Sequence, residues 1–326
     1  MIRWIAVLLL VAGAVGAGAY MWFQNSVVSA GPSVEPTRIV IERGSGLATV
    51  ARQLERASIV TNARLFQAWA TWQEKDTGIK AGEYIIPAGA SITAVLDLLV
   101  DGKTVVHRLT FPEGMTTYEI LARLAGAQGL KGETPDDLPE GSLMPATYDY
   151  ALGEDRSAIV KRMQAAMRQA ITDAWDERDD GLPIASPEEM VILASIVEKE
   201  TGLDGERHKV AGVFINRLRI GMKLQSDPTT IYAVTRGKGP LGRGLRRSEL
   251  AKKDPYNTYH AAGLPPGPIA NPGREALMAV AQPEATDALY FVADGTGGHA
   301  FSKTLAEHNR NVKKWRAIEK KRKAAQ

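Results

Sequence analysis

Residues Ser186 to Gly202 read SPEEMVILASIVEKETG. The start is a helix signature: Ser186 as N-cap, Pro187 at the first helical position and Glu189 three residues after the cap. Met190 to Val197 follow without a polar break except Ser195. A helix apolar on all sides is buried rather than laid on a surface, so this stretch is expected to be the core helix of a domain. Glu198 comes directly after it. Three, four and seven residues back lie Ser195, Ala194 and Val191, a small apolar face with room for a ligand. Glu200 falls on another face, above Ile196 and Val197. A carboxyl in dry surroundings favours its neutral form, the form a general acid needs near neutral pH. The alternative is a helix-end residue of no catalytic use, paired with Lys199, Arg207 or Lys209; spacing alone leaves both open.

The chain around it has 326 residues, 44% hydrophobic and 24% charged, enough for a sizeable core and two domains. A net charge of +3 does not call for a nucleic-acid partner, and the basic C-terminal run reads as a solvated helix end. There are no cysteines, which excludes disulfides, thiolate nucleophiles and thiolate metal sites. His260, His299 and His308 lack metal-ligand spacing, HExxH is absent, and no metal or cofactor is expected.

Trp4 to Phe23 carry no charge. Twenty residues at about 1.5 Å rise span about 30 Å, a bilayer core. A cleavable signal peptide competes, since small residues are frequent at 13–19. Aromatic residues at both ends (Trp4; Tyr20, Trp22, Phe23) favour an uncleaved anchor. Arg3 puts the N-terminus in the cytoplasm by the positive-inside tendency, and the rest of the chain outside the cytoplasmic membrane, in the periplasm. The expected order is a cytoplasmic terminus at 1–3, a transmembrane anchor at 4–23, a linker at 24–37, a small α+β module at 38–104, a larger α+β domain at 105–318 and a basic tail at 319–326. In the module, strands at 38–44 and 81–87 flank helices at 47–59 and 62–75, with a third helix at 91–102. Residues 139–150 have a loop composition, and 157–178 form an amphipathic helix with a stripe of Ile159, Val160, Met163, Met167 and Ile171.

Beyond the quoted helix, the segments LASIVEKE (193–200), VFINRLRIGMKLQSDPT (213–229), YNTY (256–259), GLPPGPIANPG (263–273) and LYFVADGTGGHAFSKTLAEHN (289–309) occur in a fixed order. Taken together they resemble the endolytic murein transglycosylases, the YceG-like family of membrane-anchored peptidoglycan-cleaving enzymes. The first half is looser: IERGSGLATVARQLERASIV with AGEYIIPAGAS is similar to a LysM-like subdomain. EGSLMPATY (140–148) departs from the family loop, with Met144 for a Phe and Ala146 for an Asp, leaving Glu140, Thr147 and Tyr148.

The resemblance implies cleavage of the β-1,4 bond between N-acetylmuramic acid and N-acetylglucosamine inside glycan strands, leaving a 1,6-anhydro end. An ordinary glycosidase needs two carboxylates; here the sugar's tethered C6 hydroxyl is the nucleophile, so one carboxyl suffices. Glu198 is assigned the role, with Glu200 in reserve, and Gln225, Asp227, Tyr256, Asn257 and Tyr259 are candidate sugar contacts. The alternatives are a non-catalytic, membrane-tethered peptidoglycan-binding scaffold, or a muramidase-type hydrolase with Asp227 as second carboxylate. Peptidoglycan strands are the implied partner, with the peptidoglycan synthases (penicillin-binding proteins) beside them.

Overall fold

The computed structural model describes residues 2 to 324. Met1 and the last two residues of the basic tail lie outside the described residues, as does the Arg3 side chain on which the orientation argument rests. Among the described residues the chain is mixed helix and strand, with three separate two-stranded sheets. It divides into two compact units, residues 1–107 with 149–154, and residues 108–148 with 155–326.

The first unit begins with α1 (Ile2–Val28), which is long and apolar enough over Trp4–Val28 to cross a membrane. Residues 24–28, read from sequence as the start of a linker, continue this helix, and Val27 is fully buried. Then follow β1 (Thr37–Ile41), α2 (Leu47–Arg56), α3 (Ala63–Trp72), β2 (Gly82–Ile86) and α4 (Ile92–Asp101). β1 and β2 run antiparallel with Ile39 opposite Tyr84. Ile39 and Ile41 alternate inward, as a half-buried strand requires. They meet Leu54, Phe66, Trp69 and Leu96 in one core that also takes in Val27. Asn62 starts α3 by accepting the Arg64 and Leu65 N–H groups. Residues 29–36 are tied down as well: Gly31 N–H donates to Gly89 O and Gly89 N–H to Ser33 O.

The chain then forms β3 (His107–Thr110), α5 (Thr117–Ala125), β4 (Thr147–Tyr150), α6 (Arg156–Asp176), α7 (Pro187–Glu200), a 3-10 turn at Asp204–Glu206, α8 (Arg207–Arg219), α9 (Asp227–Thr235), the short α10 (Arg247–Leu250), α11 (Arg274–Ala281), the hairpin β5 (Tyr290–Ala293) and β6 (His299–Ser302), and α12 (Leu305–Ala324). β4 lies inside the stretch read as loop. Its residues alternate exposed and buried, and Tyr148 turns inward with its hydroxyl on Met144 O. Thr116 caps α5 in a reciprocal box with Glu119.

α7 is the axis of the second unit. Every residue from Met190 to Val197 is buried, packed against α6, α8 and α11. Ser186 accepts the Glu189 N–H, while the Glu189 carboxylate reaches one residue further back, to Ala185 N–H. The lone polar interior residue, Ser195, is satisfied twice: its hydroxyl donates to Ile192 O at 2.7 Å and accepts the Ile269 N–H at 3.0 Å. Removing that hydroxyl strands a buried N–H, at a cost of about 1–3 kcal/mol. Ser195→Ala is therefore expected to lower unfolding stability by that amount in urea titration, more than an alanine at exposed Thr172 would.

Candidate active site

Two carboxylates leave the end of α7 in different directions. Glu198 turns toward α11. One oxygen accepts the Gly273 N–H at 2.9 Å, and Gly273 is the N-cap of α11. The other lies 4.0 Å from the Arg207 guanidinium, itself 3.9 Å from Glu113. The Glu198 side chain is 6% exposed. An anion belongs at a helix N-terminus, so Glu198 fastens the two most closely packed helices of the unit together. A Cβ at Gly273 would overlap the Glu113 carboxylate, so glycine there lets Glu113 pack against the same turn. A cavity of about 360 Å³ lies alongside, lined by Glu113, Arg207, His208 and Glu275.

Glu200 turns toward α9 and the 225–227 loop. Ser226 donates its hydroxyl to one Glu200 oxygen at 2.7 Å. Burial is the main cause that raises the Glu200 pKa, and the neighbouring Asp227 carboxylate raises it further. Ser226, His299 and Arg217 oppose that rise without cancelling it. The residue as a whole is half-buried, and its carboxyl is set back among protein groups.

The surroundings are built for that recess. The Tyr259 hydroxyl donates to Asp227 at 2.6 Å. Burial, then this bond, pushes the Tyr259 phenol above its usual range. Gln225 is exposed and held at φ +49, a left-handed conformation that costs a non-glycine residue strain. Its N–H donates to Thr258 O, and the Thr258 hydroxyl accepts the Ser226 N–H. Arg217 is buried, its guanidinium donating to Leu224 O and Leu289 O. It lies 5.4 Å from the Tyr290 ring centroid. His299 is held on both its N–H and its ring by the Glu206 carboxylate.

Of the residues proposed from sequence, the fold thus gathers Gln225, Asp227 and Tyr259 around Glu200, and sends Glu198 elsewhere. Asn257 is fully buried, its amide donating to Glu249 O, Leu250 O and Lys252 O and accepting from the Thr230 hydroxyl and the Tyr259 N–H, so that it shapes the loop. Tyr148 is buried against Phe111, with its phenol pushed up to about 12 by burial. Thr147 pairs with Thr110 across β3 and β4. Tyr256 lies 4.9 Å from Tyr232, the two rings tilted by 46°, in a second polar cluster around Glu140. There Glu140 accepts from Thr117 N–H, the Thr117 hydroxyl, the Asn271 amide and Tyr232. Burial still raises its pKa. Ser226 and Arg217 were not singled out, although both lie inside the quoted 213–229 segment.

A family model described as the YceG-like family matches residues 39–314. A Bacillus subtilis protein named endolytic murein transglycosylase is 31% identical over 313 residues, covering 85% of this chain and 84% of that one. A Streptococcus pneumoniae protein of the same name is 29% identical, covering 91% of this chain but 62% of its own length. The crystal structure of a YceG-like protein from Listeria monocytogenes superposes with a TM-score of 0.54 at 30% identity, covering 85% of this chain and 98% of that one.

The raised Glu200 pKa has a consequence for stability. Between the ordinary Glu value, about 4.3, and the higher folded value, the native state holds a proton that the unfolded chain has released. Stability therefore falls as pH rises through that window. Glu200→Gln removes the liability and keeps an acceptor for Ser226. It is expected to be more stable than the parent at neutral pH, with the gain vanishing below about pH 4, as read from urea unfolding at both pH values.

Proposed function

This chain belongs to the YceG-like family, and on that premise we propose that it is a membrane-anchored endolytic murein transglycosylase that cleaves peptidoglycan strands internally and leaves 1,6-anhydro-N-acetylmuramic acid ends. The observation that carries the reading is the recessed Glu200 carboxyl, its pKa raised by burial, beside Asp227, Tyr259 and the strained Gln225. The relatives named endolytic murein transglycosylase supply the substrate class.

In this reading Glu200, rather than Glu198, makes both proton transfers. Protonated, it donates to the glycosidic oxygen as the bond from that oxygen to C1 breaks. The developing positive charge at C1 is met by the sugar's own C6 hydroxyl, held within reach by the ring. The Glu200 carboxylate takes the hydroxyl proton as the bond from O6 to C1 forms, and the carboxyl is restored. Asp227 keeps Glu200 protonated for the first step, while the Ser226 hydroxyl and the buried Arg217 charge support its carboxylate in the second. Glu198 is already spent on Gly273 and faces Arg207; its part is to hold the scaffold.

α1 serves as the anchor, with the remainder of the chain in the periplasm, and residues 38–104 act as a LysM-like subdomain. Placement at the membrane suits release of nascent strands and termination of their growth beside the peptidoglycan synthases.

Incubation with purified peptidoglycan and mass analysis of the fragments tests the scheme. Anhydro ends, one water lighter than hydrolysed ends, are expected. Glu200→Gln is expected to lose activity by about 10²-fold or more with the fold kept, whereas Glu198→Gln keeps measurable cleavage. The opposite ranking would return the role to Glu198. Hydrolysed ends would favour a hydrolase using the neighbouring Asp227, and unchanged glycan a binding scaffold.

A further inference from the structure

The outer end of α1 is not bare. Phe23 packs 5.9 Å from Trp69 and 6.5 Å from Trp72, and Tyr20 lies 6.5 Å from Trp72, centroid to centroid. Trp69 is almost fully buried, part of the first unit's core. Trp72, the last residue of α3, is not: it is 62% exposed. Tyr20 and Trp22 beside it are 53% and 66% exposed.

The position of α1 fixes the depth of Trp72. The unbroken apolar run ends at Phe23, before Gln24, Asn25 and Ser26, and twenty residues already fill about 30 Å of hydrocarbon. Tyr20 to Phe23 therefore lie at the boundary of the bilayer, and cover about 4.5 Å along the axis. A side chain in contact with both rings sits in the same layer. That layer is where tryptophan is favoured, with its apolar ring toward the chains and its N–H toward the headgroups. The exposed face of Trp72 would be an apolar liability in water, and against lipid it is covered.

We infer that Trp72 is a lipid-contacting residue, completing an aromatic collar with Tyr20, Trp22 and Phe23 that seats the first unit on the outer headgroup layer. The inference rests on the anchor reading above. The collar is held from the protein side as well: Val27 is buried in the unit's core and its carbonyl accepts the Thr93 hydroxyl at 3.2 Å. The helix and the unit therefore move as one piece, and the depth of one sets the depth of the other.

The native chain has no cysteine, so single nitroxide labels report cleanly. The full chain, in nanodiscs of phosphatidylethanolamine and phosphatidylglycerol, is labelled in turn at Val11→Cys in the span, Gln73→Cys beside Trp72, and Ile85→Cys on exposed strand β2. Accessibility to oxygen is compared with accessibility to a water-soluble nickel chelate. The label at 73 is expected between the other two, and Trp72→Ala is expected to raise its nickel accessibility at least twofold, toward that at 85. With position 11 reading hydrocarbon, a label at 73 indistinguishable from 85, or unmoved by Trp72→Ala, overturns the collar. If position 11 itself reads water, the anchor reading fails and the collar with it.

Discussion

A helix buried on every side cannot end in charge without something waiting for it. α7 delivers two carboxylates at its exit, two residues and about 200° apart around the axis. The fold answers each differently. Glu198 meets the first N–H of α11 and a guanidinium, which uses its charge to join helices. Glu200 meets one hydroxyl, another carboxylate and dense protein, which leaves the charge poorly compensated. The same apolar helix thus makes one acid into a fastener and the other into a group ready to hold a proton.

The helix itself was readable residue by residue. Ser186, Pro187 and an unbroken apolar run are local signals, and they located the core of the second unit correctly. Which acid would be recessed was not readable in this way. The partner of Glu198 is 75 residues away and that of Glu200 is 26 away, in segments whose approach no local period reports. Polar residue types are ambiguous for a related reason. Asn257 looks like a sugar contact in a string, but an amide can equally peg three backbone carbonyls in a turn. The strand at 147–150 was hidden by the loop-like composition before it, although its alternation is plain once β3 lies beside it. The polar residues at 24–26 suggested a break in α1, and the burial of Val27 overrides them.

The order of segments in the second half acquires a physical sense from these contacts. Residues 213–229 bring Arg217, Gln225, Ser226 and Asp227 to the exit of α7. Residues 256–259 brace them from behind through Thr258 and in front through Tyr259. Residues 263–273 close over the side of α7 that carries Glu198, with Ile269 on Ser195 and Gly273 on Glu198. The Asn271 side chain binds Met115 O, Thr117 and Glu140 at once, so this loop also fixes the start of α5 and the second acidic cluster. The proline-rich loop is thus architecture, and the catalytic proposal falls on the short turn before α9.

The continuity of α1 into the first unit has a mechanical meaning. Hydrogen bonds from residues 29–33 to the Gly89 turn leave no slack between span and unit. A protein on a flexible leash can sample a hemisphere and capture polymer at any height within it. One whose stem is mortised into the domain sweeps only a disc, by diffusing and spinning in the plane. In the anchored state proposed above, an encounter of the first unit with glycan would be a two-dimensional search at constant altitude, and strands still lying close to the bilayer would be the ones it meets.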